Sequence, residues 1–193
     1  MGTVLILLFS YLLGSVPTGY LLGSLSGVDV RQVGSGNVGA TNVARVVGKW
    51  QGLLTLVGDA AKGFIAVFLS RKLGYDLSVS CLAGLAAFLG HLYPLFLRFQ
   101  GGKGVATALG VFLSLAPMAT FVLIFIFSFV AMVSRIVSLA SLIAAGFAPI
   151  VFWFFPYPRA LIWWSLLIAL LIVYRHRENI ERLISGGEPR FEL

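Results

Sequence analysis

The chain is written in long apolar runs, separated by short clusters of glycine, proline and charge. Each run approaches the roughly 20 residues that a helix needs to cross the hydrocarbon core of a bilayer. Breaking the runs at Gly, Pro and charge clusters predicts helices at 3–25, 52–72, 78–97, 104–116, 118–134, 138–155 and 160–174. The expected fold is therefore all-α, a polytopic membrane protein with seven crossings. The fourth run is short for a span, but Pro117 and the apolar run behind it favour a tight hairpin over one bent helix. There is no internal repeat and no pair of broken helices in matching halves of the chain, which are the usual pointers to a secondary transporter.

Charge orients these elements. Arg31, Arg45, Lys49, Arg98, Lys103, Arg135, Arg175, Arg177, Arg182 and Arg190 fall on one face of the predicted bundle, and only Arg71, Lys72 and Arg159 on the other. That bias places the first, third and fifth loops and the C-terminus in the cytoplasm, with the N-terminus outside. Composition turns a set of helices into a membrane protein: 59% of residues are hydrophobic, 11% are charged, and the mean hydropathy is +0.99. With 193 residues, most of the chain lies in lipid and residues 1–193 form a single membrane-embedded domain. The first span has no positive residue before it and no small-residue cleavage site, so it reads as a retained helix. Cys81, the single cysteine, sits in an apolar run and reads as a small hydrophobe. A formal charge of +7 does not point to nucleic acid, because the cations flank membrane segments, where anionic headgroups and substrates account for them.

Three polar clusters interrupt the apolar runs, and all three fall on the cytoplasmic face: GSGNVGATNVAR from Gly34 to Arg45, GGKG from Gly101 to Gly104, and YRHRENIERLISGGE from Tyr174 to Glu188. Glycines, hydroxyls, amides and fixed cations beside a bilayer suit phosphate esters of a lipid-like molecule. In the first cluster Gly34, Gly36 and Gly39 have the GxGxxG spacing, but there is no preceding strand or βαβ unit, which excludes a dinucleotide fold. The physics survives: glycines allow tight turns and close approach of N–H groups to an anion. Ser35, Asn37, Thr41 and Asn42 add neutral donors, and Arg45 a planar cationic fork. The plainer alternative is a turn whose Ser and Asn cap a helix carrying Arg45. In the second cluster Gly101, Gly102 and Gly104 surround Lys103 at a predicted helix N-terminus, with Thr107 one turn in. It is not a Walker A sequence, since Gly104 stands where that motif has its Mg-binding hydroxyl, so ATP hydrolysis is not expected.

In the third cluster His176 and Asn179 share a face if the last helix continues past Arg175. His91 has no polar companion nearby in sequence and reads as packing, and no group of residues has metal-ligand spacing, so no metal site is expected. Asp59 and Lys62 are the two charges inside the second helix, and at i and i+3 they can pair with each other. Ser138 and Ser141 open the sixth helix on one face, either lining the same pocket or packing against a neighbour.

Taken in order and spacing, GSGNVGATNVAR, GHLYPLFLRFQGGKGVATALG and VYRHRENIERLISGGE resemble the three cytoplasmic motifs of the bacterial acyl-phosphate:glycerol-3-phosphate acyltransferases, the PlsY family. The intervening helices match only in being apolar. The resemblance implies transfer of a fatty acyl group from acyl phosphate to the 1-hydroxyl of glycerol 3-phosphate. The products are phosphate and 1-acylglycerol 3-phosphate, the lysophosphatidic acid that begins phospholipid synthesis. It also implies seven helices, an active site facing the cytosol at the bacterial inner membrane, and no cofactor. By motif, the catalytic residues carried over are Ser35, Arg45, Lys103, His176 and Asn179, while Glu188 is structural. A monomer is expected. The resemblance suggests that the Lys103 loop takes glycerol 3-phosphate and leaves the Arg45 loop nearer the acyl phosphate.

An acyl phosphate is a mixed anhydride with a good leaving group, so positioning and charge stabilisation matter more than a strong acid. The base is open at this level: an imidazole such as His176 titrates near neutrality, and a substrate phosphate has an oxygen able to take a proton. His176 and Glu181 have the offset of the His-x4-Asp dyad of other glycerolipid acyltransferases, but five positions on a helix turn about 140°, so the two would not meet. The competing function is a transporter or channel for phosphorylated anionic metabolites, for which cationic glycine loops are also suited.

Overall fold

A computed structural model describes residues 1–191, all of whose regular elements are helical. The chain forms two compact units, Met1–Leu115 and a second from Ala116 onward. The first holds α1 (Gly2–Ser15), α2 (Thr18–Leu25), α3 (Ala40–Val46), α4 (Lys49–Lys72), α5 (Leu77–Leu92), a single 3₁₀ turn (Leu95–Leu97) and α6 (Val105–Leu115). The second holds α7 (Pro117–Ser134), α8 (Val137–Phe154), α9 (Ala160–Arg175) and α10 (Arg177–Ile184).

Two junctions add to the seven predicted helices: one falls inside 3–25, which still reaches membrane-crossing length as Gly2–Leu25, and one just beyond 160–174. The first apolar run is broken at Val16–Pro17, because proline has no N–H to continue the ladder and its ring crowds the preceding turn. The last run bends by 63° between α9 and α10, with His176 at the break. By length and hydropathy five spans reach membrane-crossing size among the described residues, or six if the α9–α10 pair is one broken span. α6, with 11 residues, rises only about 17 Å, roughly half of the hydrocarbon core. The helix boundary before Pro117 falls where expected: α6 ends at Leu115 and Pro117 opens α7 at its first turn, where a missing N–H is harmless.

In the first unit the most extensive packing pairs α4 with α6 and α1 with α5. Sequence explains the closeness. A Cβ at Gly110 would strike the Ala60 carbonyl, at Gly63 the Thr107 carbonyl, at Gly14 the Ala87 carbonyl, and at Gly90 the Tyr11 carbonyl. Backbone touches backbone at these crossings, which is how apolar helices gain packing in lipid without a hydrophobic driving force. In the second unit α8 packs between α7 and α9, and Gly146 on α8 has no atom within 4 Å of the site its Cβ would occupy. Buried hydroxyls in both units bond their own helices, as Ser10 to Ile6 O, Ser15 to Tyr11 O, Thr120 to Ala116 O and Ser141 to Val137 O. In a lipid environment each such bond removes an otherwise unsatisfied donor.

Candidate active site

The first polar cluster leaves α2 at Ser26, turns through Gly34 and Gly36, and enters α3 at Ala40. Gly34 and Gly36 have φ of +63° and +68°, in the left-handed region where a side chain is strained. Asn42 organises the turn. It is 2% exposed, its Nδ2 donates to Val30 O at 2.9 Å and Val33 O at 3.2 Å, and its Oδ1 accepts the Ser35 N–H at 2.9 Å. Both ends of its amide thus serve the loop, which corrects the reading of Asn42 as a donor turned toward substrate. Asn37 makes a smaller version of the same arrangement, its Oδ1 accepting the Gly39 N–H at 2.8 Å. Ser35, Thr41 and Arg45 are exposed. Among the described residues no acidic side chain pairs with Arg45, and the sequence has none from Val30 to Gly58. Arg31 differs: it forks onto Asp29 at 2.9 and 2.8 Å and lies 4.6 Å above the Tyr20 ring. Its side-chain and backbone hydrogen bonds hold the Asp29 carboxyl down to about 2, against slight desolvation.

The second cluster is folded back onto the end of α5. Gly102 donates its N–H to His91 O at 3.1 Å, and a Cβ at Gly102 would strike the His91 ring. A Cβ at Gly101 would meet the His91 carbonyl and Pro94, and one at Gly104, whose φ is +85°, would meet Phe88 and Leu92. The glycines therefore allow close packing on their inner side, and the Gly102 amide is turned inward rather than toward the headgroup zone. Lys103 stands half-buried between them. Thr107 is fully buried, with its carbonyl and methyl against Gly63 of α4 and no hydrogen-bond partner for its Oγ1 among the described residues. One small core joins the two clusters: Leu97 of the 3₁₀ turn packs with Val30, Val38 and Val43 of the first loop and α3.

Beneath both loops lie three charged or titratable side chains. Lys62 Nζ is 2.9 Å from Asp59 Oδ1, as the i,i+3 spacing indicated, and also donates to Val16 O at 3.1 Å. His91 Nδ1 lies 3.6 Å from the same Asp59 Oδ1. The three are 2–6% exposed. Sequence reasoning gave His91 no polar companion, and the structure supplies one from another helix. The available signal was the Asp59–Lys62 pair itself, since a buried ion pair needs further partners for its remaining lone pairs.

In the second unit the last cluster closes around Glu188. Ser138 Oγ donates to its Oε1 at 2.7 Å, Asn179 Nδ2 to the same oxygen at 2.5 Å, and Arg182 Nε to Oε2 at 2.7 Å. Burial raises the Glu188 pKa, but the bonds from Ser138, Asn179 and Arg182, with the charge of Arg182, outweigh it and hold the carboxyl below its ordinary value. The chain reaches Glu188 through Gly186 (φ +74°), whose neighbour Gly187 returns its N–H to Arg182 O at 2.8 Å, the closure expected after a helix C-terminus. Phe191 then donates its N–H to Arg135 O. His176 caps α9, with Nδ1 2.8 Å from Ile172 O. A carbonyl only accepts, so Nδ1 carries a proton. Helix continuation past Arg175, assumed for the His176–Asn179 face, gives way to the bend, and Asn179 instead lies in the first turn of α10. Ser138 faces Glu188, whereas Ser141 turns its hydroxyl to Val137 O in its own helix. No group of three or more metal-ligating side chains is found among the described residues.

A multi-pass helical membrane protein with Arg45 in a cationic cluster unmatched by acid among the described residues, and Lys103 among glycines in another, has the makings of a membrane enzyme for phosphorylated substrates. The chain belongs to the glycerol-3-phosphate acyltransferase family, whose profile matches residues 4–186. It is 50% identical over 183 residues to the glycerol-3-phosphate acyltransferase of Trichlorobacter lovleyi, covering 95% of this chain and 94% of that one. It is also similar to crystal structures of PlsY (YgiH), an integral membrane glycerol 3-phosphate acyltransferase. The glycerol 3-phosphate form matches with a TM-score of 0.95 at 44% identity, and the lysophosphatidic acid form with 0.93 at 42%. Each match covers 100% of this chain and 96% of the other.

Proposed function

We propose that the protein transfers a fatty acyl group from acyl phosphate to the 1-hydroxyl of glycerol 3-phosphate, at the cytosolic side of the bacterial inner membrane. It does so as a monomeric, single-domain enzyme of seven crossings with its N-terminus outside and its C-terminus in the cytoplasm. The observation that carries the reading is the full-length match to an integral membrane acyltransferase in its glycerol 3-phosphate form. The local chemistry agrees: two loops lie over one small core, one with an Arg45 unmatched by acid among the described residues and one with Lys103 among glycines.

In the reaction the glycerol hydroxyl oxygen bonds to the acyl carbonyl carbon, the bond from that carbon to the phosphate oxygen breaks, and phosphate leaves. Arg45 and Ser35 hold oxygens of the acyl phosphate and the charge that gathers on the leaving group, and Lys103 holds the phosphate of glycerol 3-phosphate. The hydroxyl proton passes to His176 Nε2, a role supported by the Nδ1 bond to Ile172 O, which fixes the tautomer. Asn179 is tied to Glu188, and so to the backbone end of α10 that carries the site. The acyl chain lies along apolar helix surface open to lipid.

The test is phosphate release by purified protein in detergent, given palmitoyl phosphate with and without glycerol 3-phosphate. Release that requires the acceptor, yields lysophosphatidic acid and is lost in Lys103→Ala is the expected result. Folded protein that releases no phosphate overturns the acyl-phosphate reading, and uptake of glycerol 3-phosphate into proteoliposomes would then favour the transporter.

A further inference from the structure

We propose that His91 is a positioning residue for the acceptor: held by Asp59, its ring forms the floor on which Gly102 rests, and it sets where the Lys103 loop lies. This rests on the reading that the Lys103 loop takes the phosphate of glycerol 3-phosphate.

The argument begins at the break in the first apolar run. Val16 O, at the interruption before Pro17, accepts from Lys62 Nζ at 3.1 Å. Lys62 fixes Asp59 at 2.9 Å, and Asp59 Oδ1 stands 3.6 Å from His91 Nδ1. On its other side the His91 ring is where a Gly102 Cβ would collide, with Nε2, Cε1 and Cδ2 all close by. The His91 carbonyl receives the Gly102 N–H. One residue thus supports the loop twice, by ring and by backbone, and only the ring is removable by substitution.

The same column of side chains reaches the first loop. α2 begins just after the break, and a Cβ on its Gly19 would strike Val38 O, while one on Gly23 would meet Val30 and Val28 O. The recess between these parts is lined by Val16, Pro17, Val38, Asp59, Lys62 and His91, among others. A buried carboxylate between an ammonium and an imidazole is costly in lipid unless it fixes something. Here it ties the break that launches one loop to the ring beneath the other. The inference differs from a packing role in what it predicts: displacement of the floor moves the loop that binds acceptor and leaves the chemistry and the donor untouched.

The experiment measures initial rates in detergent against glycerol 3-phosphate and palmitoyl phosphate separately, for wild type, His91→Ala, His91→Asn, Gly102→Ala and the double variant His91→Ala/Gly102→Ala. Thermal midpoints are taken alongside. His91→Ala is expected to raise KM for glycerol 3-phosphate about tenfold, the effect of weakening one charge-assisted phosphate contact, with kcat and the donor KM within about twofold. His91→Asn, whose amide reaches the position of Nδ1 but not those of Nε2 and Cε1 beneath Gly102, is expected to recover little of that loss. The methyl of Gly102→Ala has room once the ring is gone, so this substitution should impair His91→Ala less than it impairs wild type, a non-additivity that a remote packing defect does not produce.

Equal loss from Gly102→Ala in both backgrounds, or both KM values rising together with a lowered thermal midpoint, overturns the inference. If His91→Ala does not yield monodisperse protein, His91→Asn, which also lacks the atoms beneath Gly102, takes its place with the same criteria. A folded wild type without acyl transfer overturns the functional reading and this inference with it. An active wild type whose variants miss the pattern overturns this inference alone.

Discussion

The two units hold their polar segments by opposite means. In the first, the loops are shaped by what is missing: glycines at 34, 36, 101, 102 and 104 let backbone lie against side chains and carbonyls, and glycines at 14, 63, 90 and 110 bring the supporting helices into backbone contact. In the second, the segment is held by what is present, a Glu188 carboxylate that gathers Ser138, Asn179 and Arg182. The difference teaches where each half is vulnerable. Added volume breaks the first unit, and lost charge breaks the second.

The largest effect is expected at Gly110, where a side chain meets the Ala60 carbonyl and main chain must give way. Gly110→Val should cost about 3 kcal/mol or more and prevent recovery of folded protein, read by size-exclusion chromatography and thermal melting. Glu188→Gln comes next. It keeps the shape but removes the charge that Arg182 faces and places an amide where Ser138 or Asn179 donates, for a loss of about 2 kcal/mol and a lower thermal midpoint.

The same clasp gives a pH dependence with a definite sign. The Glu188 carboxyl is held below its ordinary value in the folded state, so its contribution is complete above the unfolded carboxylate pKa, about 4.3, and is lost as pH falls through the folded value. Thermal midpoints of wild type and Glu188→Gln should therefore differ at pH 7 and converge toward pH 3. A constant gap across that range would break the comparison.

A smaller loss is expected for Asn42→Ala, which removes three hydrogen bonds inside the first loop; it should cost about 1–3 kcal/mol and raise KM for substrate. The smallest effect sharpens the contrast between the units. Gly146→Ala, on a second-unit helix with open space around the added methyl, should raise stability by about 0.5–1 kcal/mol and leave turnover unchanged.

Much of this was legible along the chain. Apolar runs bounded by Gly, Pro and charge located every helix of ten residues or more, because crossing a membrane is a length requirement that each run meets or misses by itself. The helix boundary at Pro117 and the Asp59–Lys62 pair were readable for the same reason: both depend on neighbours a few residues away. The break at Pro17 was readable in principle, yet Pro149 lies inside α8 without interrupting it, so a proline in an apolar run does not by itself decide continuity.

Other features were not legible. Nothing local distinguishes Asn42, whose amide is used within its loop, from Thr41, which is exposed beside it. Thr107 has the right residue type and spacing for a loop hydroxyl but is fully buried, its methyl against α4.

The sequence alone determined the helical membrane class, the segments that carry cation and glycine, and through them the family. These follow from composition and from spacing within single segments, where hydrophobic length and backbone freedom act locally. Tertiary structure alone decided which polar group pairs with which: His91 with Asp59, Asn42 with its own turn, Ser138 with Glu188. A buried polar atom takes whichever partner folding brings within about 3 Å, and that partner often comes from a distant part of the chain, so its role is fixed only once the helices have packed.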